Sequence, residues 1–119
     1  MVQKRLGVAM ALISAQFRNN ARLQSALLND SSHVTLGSTG EHVRLIQQVL
    51  VRLGERGIAG REYANALYGP TTAAAVLRFK TQRQIINVSY QHTPDDIVGK
   101  LTISALDSEA LRLEITPSI

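Results

Sequence analysis

Apolar positions recur along this chain at the three- and four-residue spacing of a helix face, and polar clusters punctuate them. Val43, Ile46, Val49, Leu50 and Leu53 form the most regular stripe. Ser38 with Glu41 three residues on reads as a capping box ahead of it, and Gly54 and Gly57 end it, so a helix is predicted from about 39 to 54. Pro70 suits a first helical position, and Ala73, Val76 and Phe79 follow at helical spacing. A third helix is predicted from Gly99-Lys100, with Leu101, Ile103, Ala105 and Leu106; Leu111 and Leu113 either continue it or form a short separate helix.

The N-terminal stretch has two readings. Lys4-Arg5 followed by a mostly apolar run to Ala15 looks like a short signal peptide. Leu6, Met10, Ile13 and Phe17 instead fit one face of a helix that Ala21, Leu23, Leu27 and Leu28 prolong. The periodicity runs past the supposed cleavage point, and bulky Ile13 stands where a small residue is usual, so residues 1–30 are predicted to be an amphipathic helix packed within the chain. The apolar run is too short for a membrane span.

A phrase repeats inside the chain. Leu67-Tyr68-Gly69-Pro70-Thr71-Thr72-Ala73-Ala74-Ala75-Val76 aligns with Ile97-Val98-Gly99-Lys100-Leu101-Thr102-Ile103-Ser104-Ala105-Leu106. Glycine is expected to permit a tight turn into each helix, threonine to bond unpaired backbone groups, and alanine to let helices approach.

These residues together resemble the peptidoglycan-binding-like domain family, small three-helix modules found beside bacterial and phage cell-wall hydrolases. The first part of the family phrase is met by Gly37, Gly40, Val43, Ile46, Gln47 and Leu50. The second is met by Tyr68, Gly69, Thr72, Ala75, Val76 and Phe79, and the third by Asp95, Gly99, Thr102 and Leu106. The match spans roughly residues 34–107 with the parts in order. Asn65-Ala66 and Asp95-Asp96 stand where the family has Asp-Gly, and Lys80 where it usually has Gln. The loops at about 55–67 and 86–95 are longer than in a compact member. The resemblance implies an all-α fold: a three-helix bundle over 34–113 with the N-terminal helix added. It also implies non-covalent attachment to peptidoglycan in the bacterial envelope, periplasmic or secreted. If the N-terminus is no signal peptide, the chain is cytoplasmic before delivery.

Composition narrows the chemistry. There is no cysteine, hence no disulfide, thiolate metal site or thiol nucleophile. The net charge of +4 is concentrated in residues 1–30, where Lys4, Arg5, Arg18 and Arg22 face Asp30. The remainder is nearly neutral and shows no basic stripe of the kind a nucleic-acid binder carries. His33, His42 and His92 lack metal-ligand spacing, and adjacent Asp95 and Asp96 read as turn or cap residues. No nucleophile motif occurs. The chain therefore reads as a non-catalytic binding module without metal or cofactor.

A peptidoglycan reader needs an aromatic platform, side-chain amides and Arg. Tyr63, Tyr68 and Tyr90 fall in or beside the long loops, with Arg61, Gln82, Arg83 and His92 near them in sequence. The resemblance also implies that the aromatic at Tyr68 plugs the core. The alternative function is a protein–protein adaptor. There the altered loops and residues 1–30 would engage an effector, a toxin or a secretion component.

Overall fold

The computed structural model describes residues 11–86 and 93–115. Among them the fold is all-α. Five helices run in the order α1 (Ala21–Leu28), α2 (Glu41–Arg52), α3 (Gly60–Ala64), α4 (Pro70–Arg83) and α5 (Lys100–Ile115), with a single 3-10 turn at Asp30–Ser32. They divide into two compact units. One takes the described residues up to His33 and those from Gly99 onward; the other is Val34–Val98.

In Val34–Val98, the predicted stripe becomes α2, and Val43, Ile46, Val49 and Leu50 are all buried. Its C-terminus is closed by Gly54 at φ 105, where Gly54 N–H donates to Val51 O and Glu55 N–H to Leu50 O. These two bonds satisfy carbonyls that the last turn leaves open. The capping box is not formed. Gly40, at φ 134, is the N-cap, and Ser38 Oγ accepts from Thr35 N–H in the preceding turn. The reason is that the backbone around Thr39 is already committed to antiparallel pairing with Leu67. Tyr68 N–H donates to Ser38 O and Gly40 N–H to Ala66 O, which leaves Ser38 two residues before the cap.

α4 begins at Pro70, as predicted, and buries Ala73, Ala75, Val76 and Phe79. It ends at Gln84 in the left-handed conformation (φ 54), with Ile85 N–H closing back to Lys80 O. The ends of the unit meet through Val34 and Val98, whose N–H and C=O groups exchange bonds of 3.0 and 2.9 Å.

In the other unit the N-terminal helix is far shorter than the sequence predicts. It occupies only Ala21–Leu28, capped by the Asn20 side chain on Leu23 N–H, and buries Leu23, Ala26 and Leu27 against α5. Residues 12–19 form an extended piece and a turn, in which Ser14 Oγ accepts from Phe17 N–H. Leu12 and Phe17 are buried, whereas Ile13, assigned to the same stripe, is exposed. Leu6 and Met10 lie outside the described residues. A helix through 12–16 is pre-empted because those N–H groups bond to side chains of α1 and α5. α5 is one unbroken helix that includes Leu111 and Leu113.

Candidate functional site

The two long loops direct attention to α3, which lies within the first of them. Glu62 points inward. Its carboxylate accepts from Thr71 N–H (3.0 Å), Thr72 N–H (2.8 Å) and Thr72 Oγ1–H (2.8 Å), so it caps the start of α4. A carboxylate there also complements the positive end of the helix dipole. Burial pushes the Glu62 pKa up, but the hydrogen bonds from Thr71 and Thr72 outweigh it and the net direction is down. Gln47 of α2 completes the network by donating Nε2–H to Thr72 Oγ1 and Leu67 O, both at 3.0 Å. Threonine 72 thus links two buried side chains instead of pairing an orphan backbone group.

Gly69 is explained by the same carboxylate. A Cβ at Gly69 would fall 2.5 Å from Glu62 Cδ, while the Gly69 backbone (φ −97, ψ −171) is open to any residue. Its glycine therefore supplies room, not a special turn, which corrects the expectation from sequence.

Arg61 and Tyr63 flank Glu62 on α3. Arg61 is exposed and Tyr63 half-buried. The carbonyls of Tyr63 and Ala64 accept from the Arg44 guanidinium of α2, at 3.4 and 2.9 Å, which fixes the C-terminal end of α3. Tyr68 is removed from the ligand set: it is fully buried, and its hydroxyl donates to Asp96 O. Burial raises its pKa far above the ordinary phenol value, with the negative charges of Asp96 and Asp95 adding to the rise. It is a core side chain whose polar tip is satisfied.

Gln82 and Arg83 sit at the other end of α4. Gln82 is exposed; the Arg83 guanidinium stacks 4.0 Å above the Phe79 ring and bonds to Gln82 Oε1 at 3.2 Å. At the helical rise, about 18 Å of α4 separates Thr71, beside Glu62, from Arg83. Arg61 and Tyr63 therefore share α3, two residues apart and on different sides of Glu62, while Gln82 and Arg83 lie at the far end of α4. Tyr90 and His92 lie outside the described residues. A shallow depression on the outer face of α4 is lined by Leu77, Arg78, Thr81 and Gln82.

Sequence reading missed three ties. Glu62 carried no motif signal. Lys80, which stands where the family usually has Gln, is buried and its Nζ reaches Asp95 Oδ1 at 2.6 Å and Ile97 O at 2.8 Å. Lys80, a departure from the family phrase, and Asp95, a match to it, are thus partners that pin the segment leading to Val98. Asp107 is buried and holds backbone N–H groups of the N-terminal segment. Among the described residues no cluster of three acidic or histidine side chains could hold a metal ion, and no helix is long and apolar enough to cross a membrane.

Set against family models, curated proteins and solved structures, the chain matches none.

Proposed function

We propose that this chain is a non-catalytic module that binds bacterial cell-wall peptidoglycan and localises a hydrolase or a larger assembly there. One observation carries the reading. The family phrase has glycine at the positions of Gly37, Gly40 and Ala66, and the backbone is left-handed at all three, with φ of 96, 134 and 50. Ala66 thus keeps a conformation that favours glycine although the glycine itself is gone. The phrase's Gln47 and Thr72 are also joined in one buried network.

In this reading the ligand surface is built on α3. Arg61 offers a bidentate donor for a stem-peptide carboxylate, and Tyr63 an aromatic face for a sugar. Gln82 and Arg83 would meet a different stretch of the same polymer. Affinity per contact is modest and is raised by the polymer's repeated sites.

Co-sedimentation of the full chain with insoluble peptidoglycan across a salt series tests this. Retention that survives high salt and is lost in Arg61→Ala/Tyr63→Ala supports it, with a smaller loss in Gln82→Ala/Arg83→Ala. Retention only at low salt would reduce the effect to attraction of a basic chain by an anionic polymer. No retention at any salt overturns the reading and leaves the adaptor.

A further inference from the structure

Five consecutive backbone N–H groups, those of Leu12 through Gln16, donate to side chains. Leu12 bonds to Gln24 Oε1 at 2.9 Å. Ile13 and Ser14 bond to the two oxygens of Asp107, at 3.0 and 2.9 Å. Ala15 and Gln16 bond to the two oxygens of Glu114, at 2.9 and 3.0 Å. Asp107 and Glu114 stand seven residues apart on α5, so two turns bring both carboxylates to one side of the helix. Gln24 of α1 closes the row by donating Nε2–H to Leu12 O and Arg18 O.

The segment is therefore fastened differently from the helices beside it. A helix carries its own backbone bonds, and α1 in addition buries Leu23, Ala26 and Leu27. The 12–17 segment takes its bonds from carboxylates and an amide that water can replace, so each adds only a modest net hold. Asp107 is buried, and detachment returns its carboxylate to water, which offsets part of what is lost. Against detachment stand two buried apolar side chains, Leu12 and Phe17.

We infer that residues 12–17 are a strap that leaves α5 as one unit while α1 and α5 stay folded, with Asp107 as its latch. Opening in one step follows from the geometry. The four N–H groups from Ile13 to Gln16 are consecutive, and freeing the two on Asp107 lets Leu12 and the next two move with them. The open strap presents Leu12 and Phe17 to solvent and bares the Asp107 carboxylate.

Native-state amide hydrogen exchange on the full chain, read residue by residue by NMR, tests this. The amides of Ile13, Ser14, Ala15 and Gln16 should exchange through one shared opening, at least ~10-fold faster than the slowest amides of α5. Asp107→Asn places an amide NH2 where a carboxylate oxygen accepts. It should speed all four by ~10-fold or more while the slowest α5 amides keep their rate. Glu114→Gln, at an exposed position, should produce the same pattern with a smaller rise. Exchange of the four amides at the rate of the slowest α5 amides in the unaltered chain would overturn the strap. So would an Asp107→Asn effect confined to Ile13 and Ser14, or one that speeds α5 in parallel.

Discussion

Two helices begin with the same phrase and are started by different chemistry. At Gly69 the missing Cβ leaves room for the Glu62 carboxylate, which lies over the first turn of α4 and takes two of its N–H groups. At Gly99 the missing Cβ leaves room for the His33 imidazole, 3.1 Å from where that Cβ would stand at the head of α5. Neither glycine adopts a left-handed backbone. His33 Nε2 makes no hydrogen bond, and its nearest acid is Asp30 Oδ1 at 3.5 Å, a carboxylate that also lies 3.3 Å from Lys100 Nζ. At that distance and exposure the His33–Asp30 approach is a weak ion-pair geometry, not a bond. The shared glycine thus encodes space above a helix start. What fills the space is written elsewhere in the chain, seven residues upstream in one case and sixty-six in the other.

Breaking the first start should cost most. Glu62→Ala leaves Thr71 and Thr72 N–H groups without their acceptor, and a loss of about 2–4 kcal/mol is expected in urea denaturation. Gly69→Ala evicts the same carboxylate and should cost a similar amount. The double variant should be far less destabilised than the sum, because one network is removed twice. Additive losses would show that Gly69 has a role apart from Glu62.

Acid sharpens the contrast. The Glu62 pKa is lowered on folding from an ordinary value near 4.5. A carboxylate whose folded pKa lies below its unfolded one adds stability that is present above the unfolded value. That stability is lost as pH falls through the lower, folded value. Denaturation midpoints followed from pH 6 downward should therefore fall less steeply in Glu62→Gln than in the unaltered chain at about pH 4.5 and below.

Gly99→Ala should be the milder of the two glycine substitutions, at about 1 kcal/mol or less, since the imidazole needs to shift by only a few tenths of an ångström. The smallest effect is a gain. Ala66→Gly removes the left-handed strain of a residue with a Cβ and should stabilise the chain by about 0.5–1 kcal/mol. A loss there would mean that the buried Ala66 methyl contributes more by packing than its backbone costs.

The cores of α2 and α4 were legible because their apolar spacing, glycine stop and N-terminal proline are local signals. The failures share one cause: partners distant in sequence. Residues 12–17 carry apolar residues at helical spacing, yet their N–H groups are claimed by Asp107 and Glu114, more than ninety residues away. Lys80 reads as solvated until Asp95 is brought to it, and Ser38 reads as a cap until Thr39 pairs with Leu67. At the candidate site, Arg61 and Tyr63 were singled out by residue type and loop position, and both fall on α3. Tyr68 was not separable by residue type from the other tyrosines; its place in the family phrase implied a core plug, and the structure buries it fully. That Gln82 and Arg83 lie at the far end of α4 was already implicit in the helix length.

The proposed recognition of peptidoglycan through α3 is tested most directly by titrating the labelled full chain with soluble peptidoglycan fragments and following its amide and side-chain NMR signals. The account predicts saturable shifts centred on Arg61, Tyr63 and their neighbours in α3, abolished by Arg61→Ala/Tyr63→Ala with the fold intact. An unperturbed α3, with shifts elsewhere or none, would contradict it.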